Sequence, residues 1–189
     1  MIVSKTPYRI SFFGGGTDYP PWFKKNKGKI LSTTIDKYIY LSLRDLGPYF
    51  SYKHRVIWSK VENVKNTKLI QHNVVREMLK YFNIKNGVEI HYQGDLPARS
   101  GMGSSSSFVV GLMNALLQKN SIKVSKSKLA KKSIFFEHKI LNEIVGIQDA
   151  ISATYGGFNR MNIRKDGNFD IKNIKLSNQI NYLNKNLVL

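Results

Sequence analysis

Cysteine is absent from the 189 residues. That excludes disulfides, thiol nucleophiles and cysteine-ligated zinc or iron–sulfur centres. It fits a reducing compartment, and the cytoplasm is the expected location. Acidic residues are scarce: 12 Asp and Glu stand against 30 Lys and Arg, a formal net charge of +18. No apolar run approaches the roughly 20 residues needed to cross a bilayer. The longest, Phe108 to Leu117, is interrupted by Gly111 and Asn114. The opening Met1-Ile2-Val3-Ser4-Lys5 lacks the charged-then-apolar build of a signal peptide. Internal repeats and low-complexity linkers are also missing, so one substantial domain or two small ones is expected.

What is present has a globular balance, with 42% hydrophobic and 22% charged residues. The excess of cations suits a polyanion: nucleic acid, an anionic membrane or a phosphorylated small molecule. Two clusters stand out, Lys24 to Lys29 and Lys123 to Lys132, and the remaining charge is scattered as on a solvated surface. No strand interleaves aromatic and basic residues as single-strand readers do. Neither a specific nucleic acid nor a membrane is therefore expected as partner.

Hydrophobic spacing outlines the elements. Val3 to Phe13 reads as a strand running into the turn Gly14-Gly15-Gly16-Thr17-Asp18. Lys29 to Leu43 alternates as a long strand or a strand pair, and Arg55 to Ser59 as a short strand. Leu69 to Phe82 has helical spacing. Val88 to Tyr92 alternates again, and Ser104 to Lys119 reads as a buried helix. Helices are expected over Ser125 to Ile140, with Ser125 or Ser127 as cap, and over Gly146 to Tyr155. Phe158 to Ile163 and Phe169 to Leu176 read as a hairpin around Asp166-Gly167. Asn186-Leu187-Val188-Leu189 reads as the beginning of another strand.

Chemistry concentrates in three segments. Asp95-Leu96-Pro97-Ala98-Arg99-Ser100-Gly101-Met102-Gly103-Ser104-Ser105-Ser106-Ser107 joins a strand to a helix. Backbone N–H groups and hydroxyls at the positive end of a helix make a phosphate cradle. The loop lacks the Gly-Lys-Ser/Thr ending of an ordinary P-loop. The bland alternative is a helix simply capped by Ser104. The second segment, Thr6 to Asp18, sets Arg9 on a strand and Asp18 behind a glycine turn, a corner suited to sugar hydroxyls. The third runs from Phe135-Phe136-Glu137-His138 through Gly146-Ile147-Gln148-Asp149 to Gly156-Gly157. It offers two carboxylates, one able to hold magnesium and one able to accept a proton. Alone, Glu137 reads as a solvated charge and Asp149 as a helix-start cap.

In order and spacing, Pro-x-Arg-Ile-x-Phe-x-Gly-Gly-Gly-Thr-Asp, Leu-Pro-x-x-Ser-Gly-x-Gly-Ser-Ser-Ser and Glu…Gly-x-Gln-Asp…Gly-Gly resemble the GHMP kinases. The form Gly-Gly-Gly-Thr-Asp-Tyr is most similar to their D-glycero-D-manno-heptose 7-phosphate kinase branch. The resemblance implies an α+β domain of the ribosomal protein S5 domain 2-like type, a mixed sheet packed with helices. It implies ATP and Mg2+, and transfer of the γ-phosphoryl to a hydroxyl of a small sugar or sugar phosphate. Pro97, Ser100, Gly101, Met102, Gly103, Ser104, Ser105 and Ser106 match the nucleotide loop. Ser105 and Glu137 match the magnesium ligands, Asp149 the base and Arg9 the cation beside the reacting hydroxyl. Gly15, Gly16, Thr17 and Asp18 match the substrate turn. The resemblance also implies that residues 1–189 are the N-terminal ATP-binding domain, cut before or at the start of a C-terminal domain. A homodimer is left open. The alternatives are a non-catalytic nucleotide or anion-binding module and, behind it, a nucleic-acid-binding protein.

Overall fold

The structure, a computed structural model, describes residues 1–176 and 179–187. Its spine is one strand, β2 (Gly28–Asp45), which settles the choice between a long strand and a strand pair. β1 (Ile2–Phe13) runs antiparallel along one edge of it, from Ile2 opposite Leu43 to Phe13 opposite Leu31. The register shifts between Pro7 and Arg9 and again between Ser11 and Phe13. Such shifts re-aim side chains, and they fall in the first motif.

The other edge of β2 is shared. Its second half pairs with β5 (Val88–Gly94) and its first half with β6 (Phe158–Ile163), both antiparallel. β3 (His54–Ile57) lies parallel to β5 and antiparallel to β4 (Val61–Val64), while β7 (Phe169–Asn173) closes a hairpin on β6. The order β4-β3-β5-β2-β6-β7, with β1 on β2, is a mixed seven-stranded sheet among the described residues. β4 has no counterpart in the sequence reading. It is four residues long and alternates through a buried Glu62 rather than an apolar residue.

Among the described residues six α-helices accompany the sheet: α1 (Pro20–Asn26), α2 (Asn73–Tyr81), α3 (Ser104–Lys119), α4 (Lys126–Phe135), α5 (Gln148–Tyr155) and α6 (Gln179–Asn186). Ser125 caps α4, accepting from the Lys128 N–H at 3.2 Å. A π-helical turn, Phe136–Ile140, prolongs that helix. Of the strand expected from Asn186 onward, Asn186 is the last residue of α6, and residues 188–189 lie outside the described residues.

α3 is apolar nearly all round and correspondingly buried, with Val109, Leu112, Met113 and Leu116 fully enclosed. Each such side chain contributes about 1.5–3 kcal/mol on burial. Gly111 lets this helix lie directly on β1, since a Cβ there would stand 2.7 Å from Thr6 Oγ1. α2 and α3 pack with Leu41, Leu43, Val56 and Ile90 into the main core. A second cluster, including Phe23, Ile30, Ile147, Ile151 and Met161, fixes α5 against β6. The end of β1, the start of α3 and the start of α5 are thereby brought to one place.

Candidate active site

The serine loop is shaped by backbone. Arg99, Gly101 and Gly103 all have left-handed φ, at 64°, 75° and 74°. Two glycines in alternation make that path affordable for the chain. Its approach is anchored from the neighbouring strands. The Tyr8 hydroxyl donates to the Leu96 carbonyl at 3.1 Å, and the Tyr38 N–H donates to Asp95 Oδ2 at 2.8 Å. Tyr8 is wholly buried, and desolvation raises its phenol to about 12. Its exit is held by Arg9, whose backbone N–H donates to the Met102 carbonyl at 3.1 Å.

Gly103 is the N-cap of α3 and carries no side chain to cap it, so Ser104 is the first helical residue rather than the cap. The first bond into the helix is from the Ser107 N–H to the Gly103 carbonyl at 3.0 Å. The N–H groups of Ser104, Ser105 and Ser106 precede it and point out of the helix end. Free N–H groups at a helix start suit an anion.

Glu137 is a correction to the surface-charge alternative, being 1% exposed on the π turn behind α3. The hydroxyl at Glu137 belongs to Ser106, which donates to Oε1 at 2.6 Å, while Ser105 is exposed. Successive residues of a helix point about 100° apart, and the inward arc here takes Ser106 and Ser107 while Ser105 falls outside it. Glu137 Oε2 is buried without a partner. Burial pushes this carboxyl up to about 8, the Ser106 bond opposes, and the charges of Glu143 and Asp149 add to the rise. Among the described residues, no group of three or more His, Asp or Glu could hold a metal ion.

Asp149 enters on the first turn of α5 and meets Arg9 in a two-point pair. Nε donates to Oδ1 at 2.7 Å and Nη2 to Oδ2 at 2.9 Å. Nη1 of the same guanidinium donates to the Gly101 carbonyl at 2.8 Å. Arg9 therefore clamps the serine loop to the start of α5. Gly103 leaves room for this, since a Cβ there would lie 3.2 Å from Asp149 Oδ2 and 3.3 Å from Arg9 Cγ. Burial raises the Asp149 carboxyl above the ordinary Asp value, while the Arg9 charge and hydrogen bonds pull it back.

Asp18 is nearly enclosed by the backbone around it. It is 2% exposed, and its oxygens accept from the backbone N–H of Gly16 and of Gln148, both at 3.1 Å. Its carbonyl accepts from the Ile147 N–H at 3.2 Å. These bonds hold Gly146 and Ile147 outside the helix, which is why α5 begins at Gln148 and not at Gly146. Thr17 turns its hydroxyl onto the Gly14 carbonyl at 2.7 Å and so closes the turn itself.

A cleft of about 500 Å³ joins these parts. Arg9, Gly15, Gly16, Asp18, Ser100, Gly101, Met102 and Asp149 line it. Pro97, Thr17, Gly103, the three serines of the helix start and Glu137 do not. The buried Ser100 Oγ has no partner. Ser11, Tyr19, Gly146 and Gln148 also line the cleft, although none was a candidate from sequence. Gln148 lay within the quoted Gly-x-Gln-Asp motif. Ser11 stood in the first motif, but only its position across the sheet gives it a partner: its Oγ donates to Gln148 Oε1 at 2.8 Å.

Residues 68–157 match the family described as GHMP kinases N terminal domain. The chain is 27% identical to the D-glycero-alpha-D-manno-heptose 7-phosphate kinase of Campylobacter jejuni, over 95% of this chain and 56% of that protein. It is 31% identical to the mevalonate kinase of Saccharolobus solfataricus, over 83% of this chain and 50% of that protein. A crystal structure of a D-glycero-D-manno-heptose 1-phosphate kinase from Bacteriodes thetaiotaomicron superimposes with a TM-score of 0.83 at 24% identity, over 95% of this chain and 62% of the other. The chain spans about half the length of the curated relatives it matches.

Proposed function

We propose, from the premise that this chain carries a GHMP kinase N-terminal domain, that it forms the nucleotide- and acceptor-binding half of a sugar kinase. The reaction is transfer of the ATP γ-phosphoryl to a hydroxyl of a heptose phosphate or a related sugar. The placement of the Arg9–Asp149 pair, between the serine loop and the glycine turn, carries this reading. Phosphoryl transfer is chiefly positioning and charge stabilisation, and it needs an oriented acceptor opposite a phosphate cradle.

In this reading the N–H groups of Ser104, Ser105 and Ser106 hold nucleotide phosphate at the α3 end. The acceptor hydroxyl lies in the cleft against Asp149. Its O–H bond breaks toward Asp149 as its oxygen bonds to the γ-phosphorus, and the bond from that phosphorus to the β-phosphate oxygen breaks to release ADP. Arg9 spends three of its five N–H donors on Asp149 and the Gly101 carbonyl; it orients Asp149 and favours its ionised form. The unpartnered Glu137 Oε2 and the Ser106 hydroxyl fit Mg2+, a hard cation that takes few protein oxygens and keeps the rest for phosphate and water. Mg2+ bound there would neutralise phosphate charge.

The reading includes a small-molecule acceptor, no specific nucleic acid and a cytoplasmic location. It also treats residues 1–189 as one ATP-binding domain. A coupled ADP-release assay with D-glycero-D-manno-heptose 7-phosphate, against a panel of hexoses and mevalonate, tests it. Turnover confined to mevalonate would overturn the sugar assignment. ATP affinity without turnover on any acceptor would favour the nucleotide-binding module.

A further inference from the structure

Gln148 is buried in the cleft beside the proposed base, and the reaction as described leaves it without a role. Its backbone N–H is spent on Asp18 Oδ2. Its side-chain Oε1 accepts from Ser11 Oγ at 2.8 Å. An amide has one acceptor oxygen and two N–H donors. With the oxygen turned to Ser11, the nitrogen is the end left on the side of the Asp149 carboxyl, which the Gln148 side chain lowers. The opposite flip would set an amide oxygen against a carboxylate already flanked by Asp18. The Asp149 carboxylate therefore selects the orientation, and the Ser11 hydroxyl, able to donate or accept, meets the amide oxygen.

We propose that Gln148 is an acceptor-reading residue: one amide N–H supports Asp149, and the other is presented to a hydroxyl oxygen of the sugar beside the one that loses its proton. This rests on the sugar-kinase reading above and narrows it. The acceptor is a polyol with neighbouring hydroxyls, one facing Asp149 and one facing Gln148, rather than an isolated alcohol. The other charged groups around Asp149 are Arg9 from β1 and Asp18 from the glycine turn, with Glu137 also close enough to feel its charge. Arg9 commits three of its five N–H donors to Asp149 and the Gly101 carbonyl. Gln148 supplies a neutral donor beside it.

The test uses the whole 189-residue chain and the variants Gln148→Met, Gln148→Glu and Ser11→Ala. Methionine keeps the length and loses both donors. Glutamate keeps the oxygen for Ser11 and sets a carboxylate where the donors were. Calorimetric titration with D-glycero-D-manno-heptose 7-phosphate should show about tenfold weaker binding for both Gln148 variants, the loss of a single hydrogen bond. ATP affinity should be unchanged. Ser11→Ala should shift in the same direction by less. Without any ligand, the Asp149 carboxyl carbon, followed by NMR, should titrate at higher pH in Gln148→Met than in the unsubstituted chain. Equal acceptor affinity in Gln148→Met overturns the reading of the hydroxyl, and an unmoved Asp149 titration overturns the link to the base. An unsubstituted chain that binds hexoses but not the heptose phosphate overturns the heptose assignment alone, and Gln148 is then judged on the hexose that binds.

Discussion

Arg9 and Asp149 come from opposite ends of the fold and meet with both carboxylate oxygens engaged, at 2.7 and 2.9 Å. A planar guanidinium matches a carboxylate in this way and an ammonium does not. Asp149→Asn should lower kcat by about 10²–10⁴-fold, the usual share of a positioned base. ATP affinity should stay within a few-fold. Single-turnover kinetics and nucleotide titration of one preparation check both, and full retained activity would remove Asp149 from the base role.

The pair also sets a pH dependence. Burial raises the Asp149 carboxyl above its ordinary value of 3.8, and Arg9 works against that rise. Activity that needs the ionised form should therefore fall away on the acid side at a pH above 3.8. Arg9→Met removes the lowering influence, so that limb should move to higher pH. Arg9→Lys should move it less, since the charge remains while the two-point geometry is lost. A limb that stays in place in Arg9→Met would mean that some other group governs it.

Gly146 and Asp18 are complementary. A Cβ on Gly146 would stand 1.9 Å from Asp18 Oδ2, and that carboxylate is pinned by two backbone N–H groups. Gly146→Ala should cost about 1–3 kcal/mol, as an overpacked site does, and should weaken acceptor binding because Gln148 follows on the same backbone. Asp18→Ala alone leaves the N–H groups of Gly16 and Gln148 unpaired and should also destabilise. In combination the two should cost less than their sum, because removing the carboxylate makes space for the methyl. Thermal or urea unfolding of the four proteins measures the coupling, and strict additivity would refute the contact.

Much of this was legible beforehand, for reasons that differ by residue. α3 was readable to its bounds because its apolar residues, broken only by Gly111 and Asn114, run between a glycine-serine start and a lysine, and the expectation of a phosphate cradle came from that start. β2 alternated clearly enough to be seen but not to be distinguished from a pair. β4 could not be read, because its inward residue is Glu62, held by Trp58 and by the backbone of Gln71 and His72. The carboxylate at the α3 start was legible as Glu137, yet its serine partner was displaced by one position. Helical phase decides that partner, and the π turn carrying Glu137, closed by the Leu141 N–H on the Phe136 carbonyl, takes up an extra residue that periodicity does not announce. Asp18 looked like a ligand because a carboxylate after glycines resembles one. Its real engagement with the start of α5 depends on a contact 130 residues away. The role of Ser11 was invisible for the same reason.

Glu137 gives the last prediction, and its sign is opposite to that of a salt-bridged acid. Its folded carboxyl lies near 8 against an ordinary value of 4.5, because burial disfavours the charge. Below about pH 4.5 both folded and unfolded chains hold the proton, and the group costs nothing. Between that pH and about 8 the unfolded chain releases the proton while the folded chain keeps it, so stability falls as pH rises, by at most about 1.4 kcal/mol per pH unit. Above 8 both have released it and the loss is complete. Glu137→Gln removes the titration while keeping an oxygen for Ser106, so the variant should be more stable than the parent near pH 8 and close to it near pH 4.5. Urea unfolding of both proteins across this range checks the slope. Added Mg2+ should stabilise the parent at pH 8 and leave Glu137→Gln unmoved; equal stabilisation of the two would place the cation elsewhere.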